Sequence, residues 1–469
     1  MRRRDFVRLS SLSALQLYVL ACTARRSPRA EPAAPPQSPT GIGPLIDAGR
    51  GLLDLPEGFT YVIVQRALDP MSDGYAVPYQ PDGMACFLDA QGRYVLLRNH
   101  ELGDRAFLAR YGLDQSPEGL RRPKRAYNGQ MFGGVTRVLV DPGRLRRELA
   151  SSKSALSAAV VTSHWVLAGT RKNCAGGVFD GGWVSCEETD QAGHGYAFLT
   201  RPTDEGVRAP RRLDSWGRFR REAIVHDPDT GVVYMTEDHG RSCFYRFVPD
   251  DSAQPTGRGV VQALKVDGVP DSSPYGRDGG ATPRWANGTR WPATWVTIAD
   301  PQAGNQPCRD QAQEAGATRF NRLEGVCRSG RSVWFSASVG GAAAAGQIFE
   351  YVPSGQPDGS GELVLRYEVT DRSVLSCPDN LVTTPWGDIL LAEDNYNADA
   401  GCTHQHLRLM DAGGAITDLA RNRHHFPERK SAGAEFTGAC FSPDGRVLFV
   451  NLQAPEHVTV AITGPWPKA

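Results

Sequence analysis

A cysteine and a pair of carboxylates open and close one short segment of this chain. Cys174 stands at the start of Asn173-Cys174-Ala175-Gly176-Gly177, and Glu187-Glu188 end the run that begins at Trp183. Between them, Phe179-Asp180-Gly181-Gly182 has the composition of a tight turn, so the spacing predicts a hairpin. The start of a hairpin's first strand lies beside the end of its second. A thiolate and two carboxylates would therefore converge at one sheet edge, a donor set able to hold a metal ion.

The same unit recurs. Strand-like runs return from glycine turns at 92–101, 182–188, 231–238, 330–336, 387–394 and 445–451. Each is preceded by a polar residue opening a run of small residues: Asp82, Cys174, Glu222, Glu324, Asp379, and Glu435 or Thr437. Units of irregular length fit a repeat with insertions at one loop, and six such units arranged radially predict an all-β, six-bladed β-propeller with loop and short helical insertions. The innermost strand of each blade lines the channel, which gathers these opening residues at one mouth. The strand ends Glu101, Glu187, Glu188, Glu237, Asp238, Glu393 and Asp394 are expected on the same face. So many carboxylates in one confined mouth raise each other's pKa unless cations neutralise them. Carboxylates with amide oxygens such as those of Asn99 and Asn380 suit Ca2+, whereas a lone thiolate among them suits iron. Taken singly, an acid at a strand end usually meets water and a cysteine usually packs. It is the repetition that argues for a site.

The remaining sequence bounds the function. The chain has 469 residues, 51 Gly, 33 Pro and 40% hydrophobic residues, enough for one large all-β domain. A formal net charge of zero gives no footing for a nucleic-acid-binding surface, and no segment after the N-terminus is long and apolar enough to span a bilayer. Arg3-Arg4-Asp5-Phe6, followed by an apolar stretch, reads as a twin-arginine export signal over residues 1–22. Val19-Leu20-Ala21-Cys22 resembles a lipobox, with Cys22 as a lipid anchor; the alternative is simple cleavage. Residues 23–42 form a Pro/Ala-rich linker and 43–469 the propeller, expected to be a monomer. In an exported chain ten cysteines favour disulfides, against which stands reduced packing of those in predicted strands; the pairing stays open. Residues 144–159 are expected to hold a short helix, and 250–321 a long loop serving as a lid or cover.

Several segments together resemble the PhoX-type alkaline phosphatases: Asn173-Cys174-Ala175-Gly176-Gly177 with Cys186-Glu187-Glu188, Arg221-Glu222-Ala223, Tyr234-Met235-Thr236-Glu237-Asp238, Arg322-Leu323-Glu324-Gly325, Pro378-Asp379-Asn380 and Ser442-Pro443-Asp444-Gly445. The resemblance implies hydrolysis of phosphate monoesters outside the cytoplasm, in the periplasm or beyond, by Fe3+ and Ca2+ ions bridged by an oxo group and with no protein nucleophile. It implies Cys174, Glu222 and Glu324 as iron ligands, and Asp82, Glu101, Glu188, Asp379 and Glu435 as calcium ligands. Glu237 is expected in the same metal set, and Arg322, with Asn99, among the catalytic residues, Arg322 on the phosphate. Val178-Phe179-Asp180-Gly181-Gly182-Trp183 departs from the turn expected in that family, which bears on substrate preference more than on metal binding.

Two other readings compete. One is a calcium-dependent lactonase or phosphotriesterase propeller, against which stands the absence of histidines at equivalent repeat positions. The other is a propeller whose calcium is purely structural and whose face binds a partner.

Overall fold

The computed structural model describes residues 42–151, 156–275, 280, 282–355, 359–395, 403–424 and 435–467. The export signal, residues 23–41 of the linker, Cys22 and Cys402 lie outside these residues.

Six antiparallel blades, in five sheets, follow one another along the chain. Blade 1 comprises Pro81–Leu88, Tyr94–His100, Gly133–Val140 and Val160–Thr170; blade 2, Asn173–Phe179, Gly182–Glu187, Ala197–Thr200 and Arg211–Arg212. Blade 3 runs through Arg221–His226, Val233–Glu237, Tyr245–Pro249 and Gly259–Val266, and blade 4 through Leu323–Ser329, Ser332–Ala337, Gln347–Pro353 and Gly361–Glu368. Blade 5 holds Pro378–Thr383, Ile389–Glu393, His406–Met410 and Ile416–Asn422, widened by Leu53–Pro56 and Leu45–Asp47. In blade 6, Phe436–Phe441, Leu448–Leu452 and Val458–Thr463 are completed by Thr60–Arg66 from the N-terminal side. That last pairing closes the ring: start and end of the domain share one sheet, so no blade is left with an open junction. The six-bladed propeller expected from the repeat is the fold observed.

Inner strands pack on their neighbours around the channel, which explains their small residues. A Cβ at Gly177 would lie 2.1 Å from the Ile224 carbonyl of blade 3, and one at Gly325 would lie 2.4 Å from the Leu381 amide of blade 5. Second strands are covered on both faces by adjacent blades. Tyr94–His100 is buried throughout, so its sequence reads as a run rather than an alternation. Between blades 3 and 4 the seam is aromatic, with Phe244 stacked on Phe335 at 4.1 Å.

One expectation needs correction. Residues 250–321 are not a structureless lid: Gly259–Val266 and Arg290–Thr297 are strands, and the latter pairs with the outer strands of both blade 3 and blade 4, tying two blades into one nine-stranded sheet. The tryptophans and prolines there belong to an outer brace. Disulfides are absent among the described cysteines, all eight of which are free and mostly buried. Their sulfurs pack as small apolar groups. The helix expected within 144–159 is Pro142–Leu149, begun by Asp141, whose carboxylate accepts from the Arg144 amide.

Candidate metal centre

Every inner strand breaks register at the same place. Bulges interrupt pairing at Pro81/Met84, Asn173/Gly176, Arg221/Ile224, Leu323/Val326, Pro378/Leu381 and Thr437/Cys440. A bulge re-aims one side chain. The residues at this point are Asp82, Cys174, Glu222, Glu324, Asp379 and Thr437, so Thr437 holds the sixth ring position and Glu435 stands two residues before it. The residues two before the ring are Gln80, Lys172, Arg220, Arg322, Cys377 and Glu435. In all six blades their carbonyl accepts the amide of the residue that ends or follows the second strand: Glu101, Glu188, Asp238, Ser338, Asp394 or Gln453. Four of them, Gln80, Lys172, Arg322 and Cys377, have φ between 47° and 50° or, for Arg322, 55°, a left-handed conformation that non-glycine residues adopt at a cost. Three concentric sets of side chains thus face one mouth.

A further repeated bond holds the bulges. Asn99 donates to the carbonyls of Cys174 and Ala175 at 2.7 and 2.9 Å, Asn451 to that of Asp82 at 2.7 Å, and Ser336 to that of Asp379 at 2.8 Å; Thr236 does the same for Glu324. Each staples its blade to the next. Because Asn99 Oδ1 also accepts from Trp183 Nε1 at 2.8 Å, both ends of its amide are engaged by protein. Asn380 is similarly used, with Oδ1 accepting from the Gly438 amide at 2.8 Å. Asn99→Ala is expected to cost about 2–4 kcal/mol through the unpartnered carbonyls it leaves, measured by denaturant unfolding of the metal-free protein.

Three groups bring potential ligand atoms within 4.8 Å of one another: Asp82, Glu101 and Cys174; Glu222, Glu324 and Asp379; and Asp379, Asp394 and Glu435. Asp379 belongs to two of them, so the second and third groups adjoin. Glu222 is the most telling member. It is 1% exposed, and neither carboxylate oxygen has a hydrogen-bond partner. A buried carboxylate without a donor is costly unless a cation meets it. Burial, then Asp379 and Glu324, hold its carboxyl well above the usual range. Burial and Glu101 do the same for Asp82, burial and Glu324 for Asp379, and burial and Asp394 for Glu435. Glu324 is pushed up to about 8, mainly by burial against the opposing pull of Arg322. The Cys174 thiol is raised by burial and by Asp82, whose Oδ2 it approaches at 3.7 Å. A donor set of hard oxygens and one sulfur, held close and with Glu222 left without a partner, fits bound cations, whose arrival would displace these protons.

The other expected ligands lie differently. Glu237 faces away from the mouth, accepting from Tyr245 at 2.9 Å and from Arg309 at 2.8 Å. Glu187 accepts from the Arg171, Gly195 and Tyr196 amides, and Glu393 from those of Ser376 and His406. Alternation along a strand explains this: adjacent residues point to opposite sides, so Glu187, Glu237 and Glu393 brace the blades while Glu188, Asp238 and Asp394 reach the mouth. Glu188 does so paired with Lys172 at 2.6 Å and with Arg220. Arg322 grips Asp238 with Nε and Nη2 at 2.8 and 3.0 Å, and its Nη2 lies 3.1 Å from Glu324. Asp394 reaches the mouth as expected of a strand end, whereas Lys172 and Arg220 were not singled out from sequence; their signal was position, two residues before a ring residue.

A cavity of about 560 Å3 is lined by inner-strand residues including Met84, Ile224, Leu381 and Phe441, with Asp180 the one carboxylate among its described lining residues. None of the three ligand groups lines it.

No curated protein sequence matches the chain. Among solved structures, PhoX of Pseudomonas fluorescens in complex with vanadate, a transition state analogue, is similar at a TM-score of 0.62 with 18% identity, covering 88% of this chain and 96% of that one. A gluconolactonase from Xanthomonas campestris matches at a TM-score of 0.41 and 10% identity over 91% of this chain and 99% of its own. A periplasmic gluconolactonase from Pseudomonas aeruginosa matches at 0.38 and 12% over 84% and 89%. The first supports the propeller; the family model for alkaline phosphatase PhoX, matching residues 40–456, covers blades 1 to 5, most of blade 6 and the acid-lined mouth, and by that match the chain belongs to the PhoX alkaline phosphatase family.

Proposed function

We propose that the chain hydrolyses phosphate monoesters at an iron and calcium cluster held by Cys174, Glu222, Glu324, Asp82, Glu101, Asp379, Asp394 and Glu435, and releases inorganic phosphate. The observation that carries this reading is the doubly unpartnered carboxylate of Glu222, set beside Glu324 and Asp379. Cations bound there supply Lewis-acid stabilisation of the phosphoryl oxygens and of the leaving oxygen. Arg322 stands two residues from Glu324, and its planar fork is suited to orient a tetrahedral anion by paired N–H donors. Asp238 fixes that fork in place. Binding of vanadate by the Pseudomonas fluorescens relative agrees with a phosphoryl-transfer site.

The export signal in residues 1–22 would place the enzyme outside the cytoplasm, and no helix among the described residues is long and apolar enough to cross a membrane. Cys22 remains our proposed point of lipid attachment.

Turnover of a chromogenic phosphate monoester, with paraoxon and a lactone untouched, is the expected assay result. Hydrolysis of paraoxon or the lactone alone would replace this reading with that of a lactonase or phosphotriesterase. With Cys174 bound to ferric iron, the loaded protein is expected to be coloured through sulfur-to-metal charge transfer. Cys174→Ala should bleach the band and lower bound iron, whereas Cys186→Ala, buried within the same hairpin, should not. A colourless, iron-free and active wild type would refute the iron assignment.

A further inference from the structure

The mouth is electrically lopsided. At the position two residues before the ring, blades 2, 3 and 4 carry Lys172, Arg220 and Arg322, while blade 6 carries Glu435 and blades 1 and 5 carry the neutral Gln80 and Cys377. On the cationic side, acids and bases alternate across the blades. Lys172 Nζ lies 3.3 Å from Glu101 and 2.6 Å from Glu188; Arg220 pairs with Glu188 and lies 3.6 Å from Asp238; Arg322 bridges Asp238 and Glu324. On the other side Asp379, Asp394 and Glu435 bring carboxylate oxygens within 4.8 Å of one another.

Lys172 is set in place by its backbone as well as by its charge. Its φ of 48° and the Glu188 amide donating to its carbonyl at 2.9 Å turn the side chain inward between blades 1 and 2. Its ammonium then sits between two carboxylates, one of which, Glu101, also belongs to the Asp82 and Cys174 group. That is where a calcium ion would be expected to bridge Glu101 and Glu188, since Ca2+ takes carboxylate oxygens at about 2.3–2.6 Å and tolerates irregular geometry. Glu188 already accepts from two cationic side chains, and burial of an acid with two such partners leaves it little to gain from a third cation.

We infer that the Lys172 ammonium is a protein-borne cation occupying the place of a metal ion between Glu101 and Glu188. Glu188 is then a post that positions Lys172 and Arg220 and is not a metal ligand. The cluster accordingly holds one divalent ion fewer than its carboxylates would suggest, and metal is confined to the three groups centred on Cys174, Glu222 and Asp379. This inference rests on the metal-centre reading.

Calcium titration of the full-length purified protein, with metal content counted per chain, tests it. Lys172→Met should bind one more Ca2+ than the wild type, and its thermal midpoint should rise more steeply with added Ca2+. Glu188→Gln, which keeps the side chain's volume, should bind as many ions as the wild type. A Lys172→Met protein that binds the wild-type number, or a Glu188→Gln protein that has lost one, overturns the inference. Should Lys172→Met not fold, the count in Glu188→Gln decides alone. Failure of the underlying reading looks different: a wild type that binds no metal at all, which removes both.

Discussion

Glu222→Gln is expected to lower monoester turnover at least about 100-fold, a loss of about 2.7 kcal/mol of transition-state stabilisation, while leaving the chelator-treated protein as stable as the wild type. The amide retains the volume but removes the charge whose two oxygens have no protein partner. Bound metal should fall, and the rise in thermal midpoint on adding metal should shrink with it. Glu57→Gln, on an exposed turn, is the control and should change neither. Equal losses in both variants would mean that the assay reports folding; full metal content and turnover in Glu222→Gln would show that this carboxylate serves the channel wall alone.

Arg322→Lys separates two roles that share one side chain. As a bridge between blades 3 and 4, Arg322 holds Asp238 and Glu324, and a lysine retains most of that attraction. As a phosphate ligand it needs the fork, which lysine lacks. The expected outcome is a fall of about 100- to 1000-fold in kcat/KM with a stability change of about 1 kcal/mol or less. Unchanged kinetics would reduce Arg322 to a blade-to-blade ion pair.

The propeller was legible because its repeat is written in residue types: a glycine turn, an apolar return strand and a polar residue opening the inner strand. The ring was legible for the same reason at Asp82, Cys174, Glu222, Glu324 and Asp379. Blade 6 shows the limit. Glu435 and Thr437 both satisfy the pattern, and only the bulge at Thr437/Cys440 and the Gln453 amide on the Glu435 carbonyl assign them to different positions. Glu187, Glu237 and Glu393 were misread because adjacent acids at a strand end look alike in sequence, yet the pleat sends them to opposite sides. The structural use of Asn99 was not legible because its partner is a carbonyl of the next blade, about 75 residues away, and backbone acceptors leave no trace in side-chain pattern. Lys172 and Arg220 carried a signal that was present: like Arg322 they stand two residues before a ring residue. The brace formed by Gly259–Val266 and Arg290–Thr297 was hidden by the prolines and glycines around those strands, which resemble a loop until the pairing with blade 4 is seen.

Elemental analysis of the exported protein, joined to its monoesterase activity before and after chelation, tests the central claim most directly. Iron and calcium bound to the purified protein, lost together with activity on chelation and regained together on adding both metals, is the predicted result. Undiminished turnover by a protein shown to contain no metal would contradict it.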